Sequence, residues 1–248
     1  MNVLRAELLK ATTTRLLLWF GLGVLAFVAL VVSTHIGTGA PDELATASNQ
    51  RSLLEAAGLT AVITALIGSV LTTTEYAHGT INQSFLAVPA RERLLLAKLA
   101  SAVIVAALLA TFAVAATLLI GELWYAGRGI TLHLGGGTWT PLLSVIAASV
   151  LAAAIGVGVG AILRRQTGSI VVILLWLLIG ENIIALIHGG ARYGPGHVIA
   201  AVVAAHRDGS SDTFGLWPAV LLSLLYAAAL CGVGFVLAAR SDVASGGE

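Results

Sequence analysis

The run LASAVIVAALLATFAVAATLLIG, Leu99–Gly121, passes from one polar flank to the other without a single charged residue. A helix needs about 20 apolar residues to cross the hydrocarbon core of a bilayer. Here the apolar character covers every face instead of forming a stripe, so the segment reads as a membrane span and not as a surface helix. Five further runs of the same kind surround it: Leu16–Ser33, Ala56–Thr73, Pro141–Leu163, Ser169–His188 and Leu216–Ala239. The expected fold is therefore an all-α integral membrane protein, with six transmembrane helices in a single membrane domain covering residues 1–248.

Composition leads to the same class. Charged residues make up 10% of the chain and hydrophobic ones 58%, against about 25% charged in an average soluble domain. A formal net charge of +1 argues against nucleic acid, which calls for a basic face or stripe. Cys231 is the only cysteine, which rules out an intrachain disulfide or a cysteine-based zinc site. Its place inside an apolar run suits a small buried hydrophobe. Arg outnumbers Lys 11 to 2 beside abundant Ala, Gly and Val, a usage that fits a GC-rich bacterial genome and a bacterial plasma membrane.

Orientation follows from the basic residues. With the N-terminus inside, the cytoplasmic segments hold Arg5, Lys10, Arg15, Arg91, Arg93, Lys98, Arg164, Arg165 and Arg240, against Arg51, Arg128, Arg192 and Arg207 outside. That excess places both termini in the cytoplasm. The first run is too long for a signal-peptide core and is read as an uncleaved first helix. Residues 1–15, MNVLRAELLKATTTR, alternate Leu and Val with Arg5, Glu7 and Lys10. They form either a short amphipathic helix on the inner surface or a plain basic N-terminus.

The most specific sequence lies between the second and third runs, TTTEYAHGTINQSFLAVPARERLLLAK, Thr72–Lys98. Gly79 interrupts what precedes it. Thr80 and Gln83 then have the spacing of a capping box, and a helix from Ile81 to about Ala87 would be stopped by the demand of Pro89 on Val88. Ile81 and Phe85 lie four apart on one face of that helix. Two turns are not stable alone in water, so Phe85 and Ile81 must pack on something.

Glu75, Gly79, Thr80, Pro89, Arg91 and Lys98, taken together, resemble the first cytoplasmic loop of ATP-binding cassette type 2 (ABC-2) export permeases. The likeness extends to six spans, a basic N-terminal segment with Glu7 and Lys10, and a long external segment before the last span. Ala90 departs from the pattern, where many relatives have a capping Ser. The resemblance implies that residues 74–98 are a coupling loop whose helix docks on a separate ATP-hydrolysing subunit. Glu75, Gly79, Thr80, Ile81, Phe85, Pro89, Arg91 and Arg93 would then be the coupling residues. It further implies ATP and magnesium on that partner and none on this chain, and a second permease copy or paralogue beside it in the bilayer. In similar permeases the region corresponding to residues 189–215 carries short external helices.

Other features fit the same frame. Gly156-Val157-Gly158-Val159-Gly160 matches a dinucleotide fingerprint by letter, but it sits inside a span and does not follow a strand. Gly156 and Gly160 instead offer a small-residue face for helix packing. Glu181 and Asn182 lie deep in the fifth span, where a charged group is costly and functional by default. They would line a translocation path, hold a cationic group or break the helix, or Glu181 would pair with Arg192. His35, His133, His188, His197 and His206 fall on the outer side without metal-ligand spacing, so no metal site is expected.

No Gly-x-x-x-x-Gly-Lys-Ser/Thr motif occurs in the chain. The expected function is thus the permease subunit of an ATP-driven exporter without catalysis of its own, and apolar walls favour a hydrophobic or amphipathic substrate. Two alternatives stand beside it. One is a non-transporting anchor or sensor regulated by a partner ATPase. The other is a polytopic membrane enzyme, for which neither Glu-Glu-x-x-x-Arg nor Gly-x-Ser-Gly is present.

Overall fold

The computed structural model describes residues 3–13, 15–81, 91–132, 139–187, 190–204 and 214–240. In chain order the helices are α1 (Val3–Thr13), α2 (Leu16–Thr38), α3 (Pro41–Leu44), α4 (Ala47–Ala56), α5 (Thr60–Ala77) and α6 (Arg91–Gly127). There follow α7 (Trp139–Leu163), α8 (Gln166–Leu175), α9 (Glu181–Ala185), α10 (Pro195–Val203) and α11 (Leu216–Arg240). A π-helical turn, Trp176–Gly180, joins α8 to α9. Six helical segments are long and apolar enough to cross a membrane: Leu17–Thr38, Ala57–Ala77, Arg93–Gly127, Trp139–Leu163, Gln166–Ala185 and Leu216–Leu237. The protein is an all-α multi-pass membrane protein.

Several helices outrun the apolar segments that announced them. Helix α6 has 37 residues, about 55 Å at 1.5 Å per residue, whereas the hydrocarbon core is about 30 Å thick. Hydropathy marks where the membrane is, not where the helix stops. The stop signal lies beyond the apolar run: Gly129 has φ +70°, and the Ile130 and Gly129 amides donate to the Tyr125 and Ala126 carbonyls. This is a Schellman termination. Likewise α5 continues past Thr73 to Ala77, so regular helix takes up both ends of the segment read as a loop from 74 to 98. The fifth span carries the π turn in its middle, immediately before Glu181.

The spans are unequal in burial. The most apolar stretches of the second and fourth are 67% and 56% buried, whereas those of the first, fifth and sixth are 17%, 17% and 22%. Helices α5 and α7 are therefore the centre. Helix α6 packs on α7, α2 on α6, α11 on α7, and α8 on α5. The central pair meets backbone to backbone: Gly68 faces the Ala153 carbonyl and Gly156 the Ala65 carbonyl. A Cβ on Gly160 would lie 2.8 Å from the Ser69 carbonyl oxygen. Thr64 Oγ1 crosses the same contact, donating to the Ser149 carbonyl at 2.9 Å. Gly158 points the other way, onto Leu230 and Cys231 of α11, where the Cys231 thiol donates to the Ala154 carbonyl at 3.4 Å.

Lipid tails are as apolar as leucine, so the hydrophobic effect does not drive these helices together. Close contact between small residues does. Gly156→Ala inserts a methyl that the Ala65 carbonyl blocks and is expected to cost about 1–3 kcal/mol, read as a lower melting midpoint of the detergent-solubilised chain. Gly21→Ala, where an added Cβ meets nothing within 4 Å, is the control and is expected to leave the midpoint unchanged.

Candidate functional site

Four charged side chains from three helices meet at the N-terminal face, where α1 lies. Lys10 Nζ is 2.9 Å from Glu7 Oε1 and 2.7 Å from Glu75 Oε1. Lys98 Nζ is 3.1 Å from Glu7 Oε2 and 3.0 Å from Glu75 Oε2. Each carboxylate thus bridges both ammonium groups and the ring is electrically neutral. Glu7 and Lys10 share a face of α1 through their i, i+3 spacing, Glu75 is in the last turn of α5, and Lys98 enters from α6. A carboxylate at a helix C-terminus opposes the helix dipole, so Glu75 depends on its two cations.

The members differ in exposure. The Lys98 side chain is 2% exposed, whereas that of Lys10 is 52% exposed. Burial opposes the charge of Lys10, but its hydrogen bonds to Glu75 and Glu7 and their negative charges outweigh it, holding its ammonium above the usual lysine value of 10.5.

The node stands directly under the connector between α5 and α6. After His78 caps α5, Gly79 takes φ +68°. The Thr80 amide donates to the Glu75 carbonyl at 2.9 Å and the Gly79 amide to Tyr76 at 3.3 Å, a second Schellman termination. The left-handed residue ends α5, and Ile81 is again helical. Gln83, Phe85 and Pro89 lie outside the described residues. Arg91 is the first residue of α6, and Arg93 is exposed on its first turn. Among the described coupling residues, Glu75 is the one that enters the node. Lys98, read from sequence as a cytoplasmic basic residue next to the third span, is its most buried member.

A second polar cluster lies at the opposite face. Glu181, 5% exposed, accepts from Trp176 Nε1 at 2.9 Å and from the Gly196 amide at 2.7 Å. His197 Nδ1 lies 2.5 Å from Glu181 Oε2. A π turn closes i→i+5 hydrogen bonds, and the Glu181 amide indeed donates to the Trp176 carbonyl. That turn brings residues 176 and 181 onto one side. The expected pairing of Glu181 with Arg192 does not occur. Arg192 instead stacks over the Tyr193 and Phe214 rings, 5.0 and 5.6 Å from their centroids. Asn182 faces outward and donates to the Leu178 carbonyl of its own span, so the two residues read together as a path do not converge. Glu181 staples α10 to the fifth span.

Sequence reasoning missed Trp176, Gly196 and His197 as partners of Glu181. A signal was available in Gly194-Pro195-Gly196-His197: proline at a first helical position announces α10. The flanking glycines leave room for the Glu181 carboxylate, which a side chain at 194 or 196 would strike. Among the described residues no group of histidine, cysteine and carboxylate side chains could hold a metal ion.

Beneath this staple is a cavity of about 820 Å³ between α5, α7, the fifth span, α10 and α11. Among the described residues, its lining has no charged, amide or hydroxyl-bearing side chain except Tyr226, and the other polar tip is that of Trp176.

Residues 3–186 match the family model described as ABC-2 family transporter protein, which is more than half of the chain. The chain belongs to the ABC-2 transporter family. No individual curated protein matches it significantly. The family comprises membrane domains of transporters, which usually pair with an ATP-binding subunit. In this ABC-2 protein the match takes in α1, both helices flanking the connector and the fifth span through Glu181. It ends before α10 and α11.

Lys98→Met leaves two buried carboxylates sharing one half-exposed amine, and breaking such a buried pair costs about 3–5 kcal/mol. The expected result is a large drop in melting midpoint and early proteolysis of α1, with Lys10→Met milder. Because the Lys10 value is raised, its contribution is complete below the ordinary lysine value and is lost only as pH rises through the raised one. The Lys10→Met deficit should therefore be constant from about pH 6 to 9. Glu181→Ala orphans the Gly196 amide and Trp176 indole donors. Faster hydrogen exchange confined to the start of α10 is expected, with the α5–α7 core unchanged.

Proposed function

We propose that this chain is the permease subunit of an ATP-driven exporter in a bacterial plasma membrane, moving a hydrophobic or amphipathic molecule out of the cytoplasm. Membership of a transporter family supports the class. The observation that carries the mechanism is the ion-pair node, which ties α1, α5 and α6 together at the base of the connector. A partner that grips residues 82–90 would push on one unit and not on three loose helices. From Glu75 the push runs along α5 to the Gly68–Gly156 crossing and so into the central pair.

The partner is an ATP-binding cassette subunit that carries the ATP and magnesium. Phe85 and Ile81 would anchor the connector helix in it, since apolar knobs framed by polar residues are effective anchors, and Arg91 and Arg93 would form the rim. Two permease copies, or this chain and a paralogue, would enclose the path, with the little-buried first, fifth and sixth spans available to face the second copy and lipid. The chain itself does no covalent chemistry.

Purification of the tagged chain from its native membranes in mild detergent tests the partner. A stoichiometric P-loop ATPase should co-purify and should be lost from the Ile81→Asp/Phe85→Asp variant. A chain that arrives alone in several detergents overturns the reading. Gly79→Pro tests the lever: proline cannot adopt φ +68° and removes the amide bonded to Tyr76. This variant is expected to fold and to retain its spans, yet to lose substrate-stimulated ATP hydrolysis. Normal stimulation would refute the coupling role.

A further inference from the structure

The cavity under the Glu181 staple has a chemistry that narrows what can occupy it. Helix α8 packs on α5 and α11 packs on α7, so the fifth and sixth spans leave a gap between them, and α10 roofs it. The floor is made of small residues such as Ala65 and Ala152, and the walls include Val172, Leu177 and Leu230. Both polar tips in the lining are already committed. Trp176 Nε1 donates to Glu181, and the Tyr226 hydroxyl donates to the Tyr193 carbonyl at 2.6 Å. The Glu181 carboxylate is not part of the lining; its oxygens are taken up by Trp176, Gly196 and His197.

A ligand group that needs a hydrogen bond would find no free side-chain partner among the described lining residues and would forfeit its hydration, which costs several kcal/mol in an apolar medium. That lining favours a hydrocarbon chain over peptides, sugars, nucleotides and ions. From Val172 to Ile184 the lining of the fifth span extends about 18 Å at 1.5 Å per residue, roughly the depth of one leaflet of a 30 Å core. The volume of about 820 Å³ lies within the range of about 300–1,000 Å³ typical of sites for drug-sized ligands.

We infer that this slot binds the hydrocarbon chain of the transported molecule, in the leaflet on the α10 side, with its polar head outside the slot. The assignment to substrate rests on the exporter reading; the binding itself does not. The substrate class is accordingly a long-chain amphiphile with no hydrogen-bonding group along the buried length. The Glu181 staple fixes the roof and takes no part in recognition. Specificity comes from the absence of any unsatisfied polar group, so chain length and bulk are what the slot measures.

The test uses the full chain without any ATPase, in phosphatidylcholine vesicles, with Trp19, Trp124, Trp139 and Trp217 changed to Phe so that Trp176 alone reports. A long-chain alkyl amphiphile brominated at mid-chain is titrated in. Saturable quenching of Trp176 that levels off near equimolar probe is expected. It should vanish in Ala200→Leu/Ala229→Phe, which fills the slot from two exposed lining positions; Ala200→Leu alone serves if the pair does not fold. Quenching that only rises in proportion to the bulk probe, unchanged by filling, overturns the site. Equal saturable quenching by a phospholipid brominated at the same depth overturns the substrate assignment in favour of a resident lipid. No quenching, with a second copy cross-linked through position 229, overturns it in favour of a dimer contact. Failure of the exporter reading is seen separately, as the absence of a co-purifying ATPase.

Discussion

The rest of the structure hangs on the approach of α5 to α7, backbone against backbone. Gly68 and Gly156 each sit where the partner's carbonyl leaves no space for a side chain. In a bilayer the surroundings of a helix are as apolar as its neighbours, so burying leucine there gains little and close contact decides which helices pair. Once these two are in contact, α7 still presents Gly158 to α11 and a further face to α6, while α5 offers its other side to α8. The remaining spans are attached to this pair, which is why they stay largely exposed to their surroundings.

Buried carboxylates cluster at the two ends of that frame and are satisfied there in different ways. At the N-terminal face, two carboxylates and two ammonium groups form a neutral ring across α1, α5 and α6. At the opposite face a single carboxylate collects an indole, a backbone amide and an imidazole. Both arrangements answer the same constraint: a buried charge is tolerated only when its partners are supplied by the protein. Both also join segments distant in sequence, 91 residues apart for Glu7 and Lys98 and 15 for Glu181 and Gly196. Between them the protein leaves an apolar slot in which no polar demand remains. A polar tie at each face with an unencumbered interior suits a device that passes a movement from one side of the membrane to the other while holding an oily ligand.

Much of this architecture was legible in the chain. Six apolar runs of sufficient length, and Gly156 and Gly160 four apart, state their physical meaning locally. So do Gly79 and Gly129, placed where helices end. The connector carried enough pattern to suggest the family, and the family match covers the same region. The errors were also physical. Apolar runs report immersion, so the ends of α5 and α6 were placed too early, because a helix can continue into water. Glu181 was offered Arg192 as a partner because opposite charges attract. In the folded chain Arg192 is taken up by aromatic rings, while donors nearer at hand satisfy the carboxylate.

The sequence by itself determined the solvent and the number of spans, because those depend on hydropathy read over a run of neighbouring residues. Only the tertiary structure decided that Lys98 is the buried counter-charge of Glu7 and Glu75, that Trp176 and Glu181 meet through a π turn, and that the fifth and sixth spans part to leave a slot. Each of these depends on which helices touch and at what rotation. That is set by the sum of many weak contacts across the bundle, and no short stretch of sequence contains it.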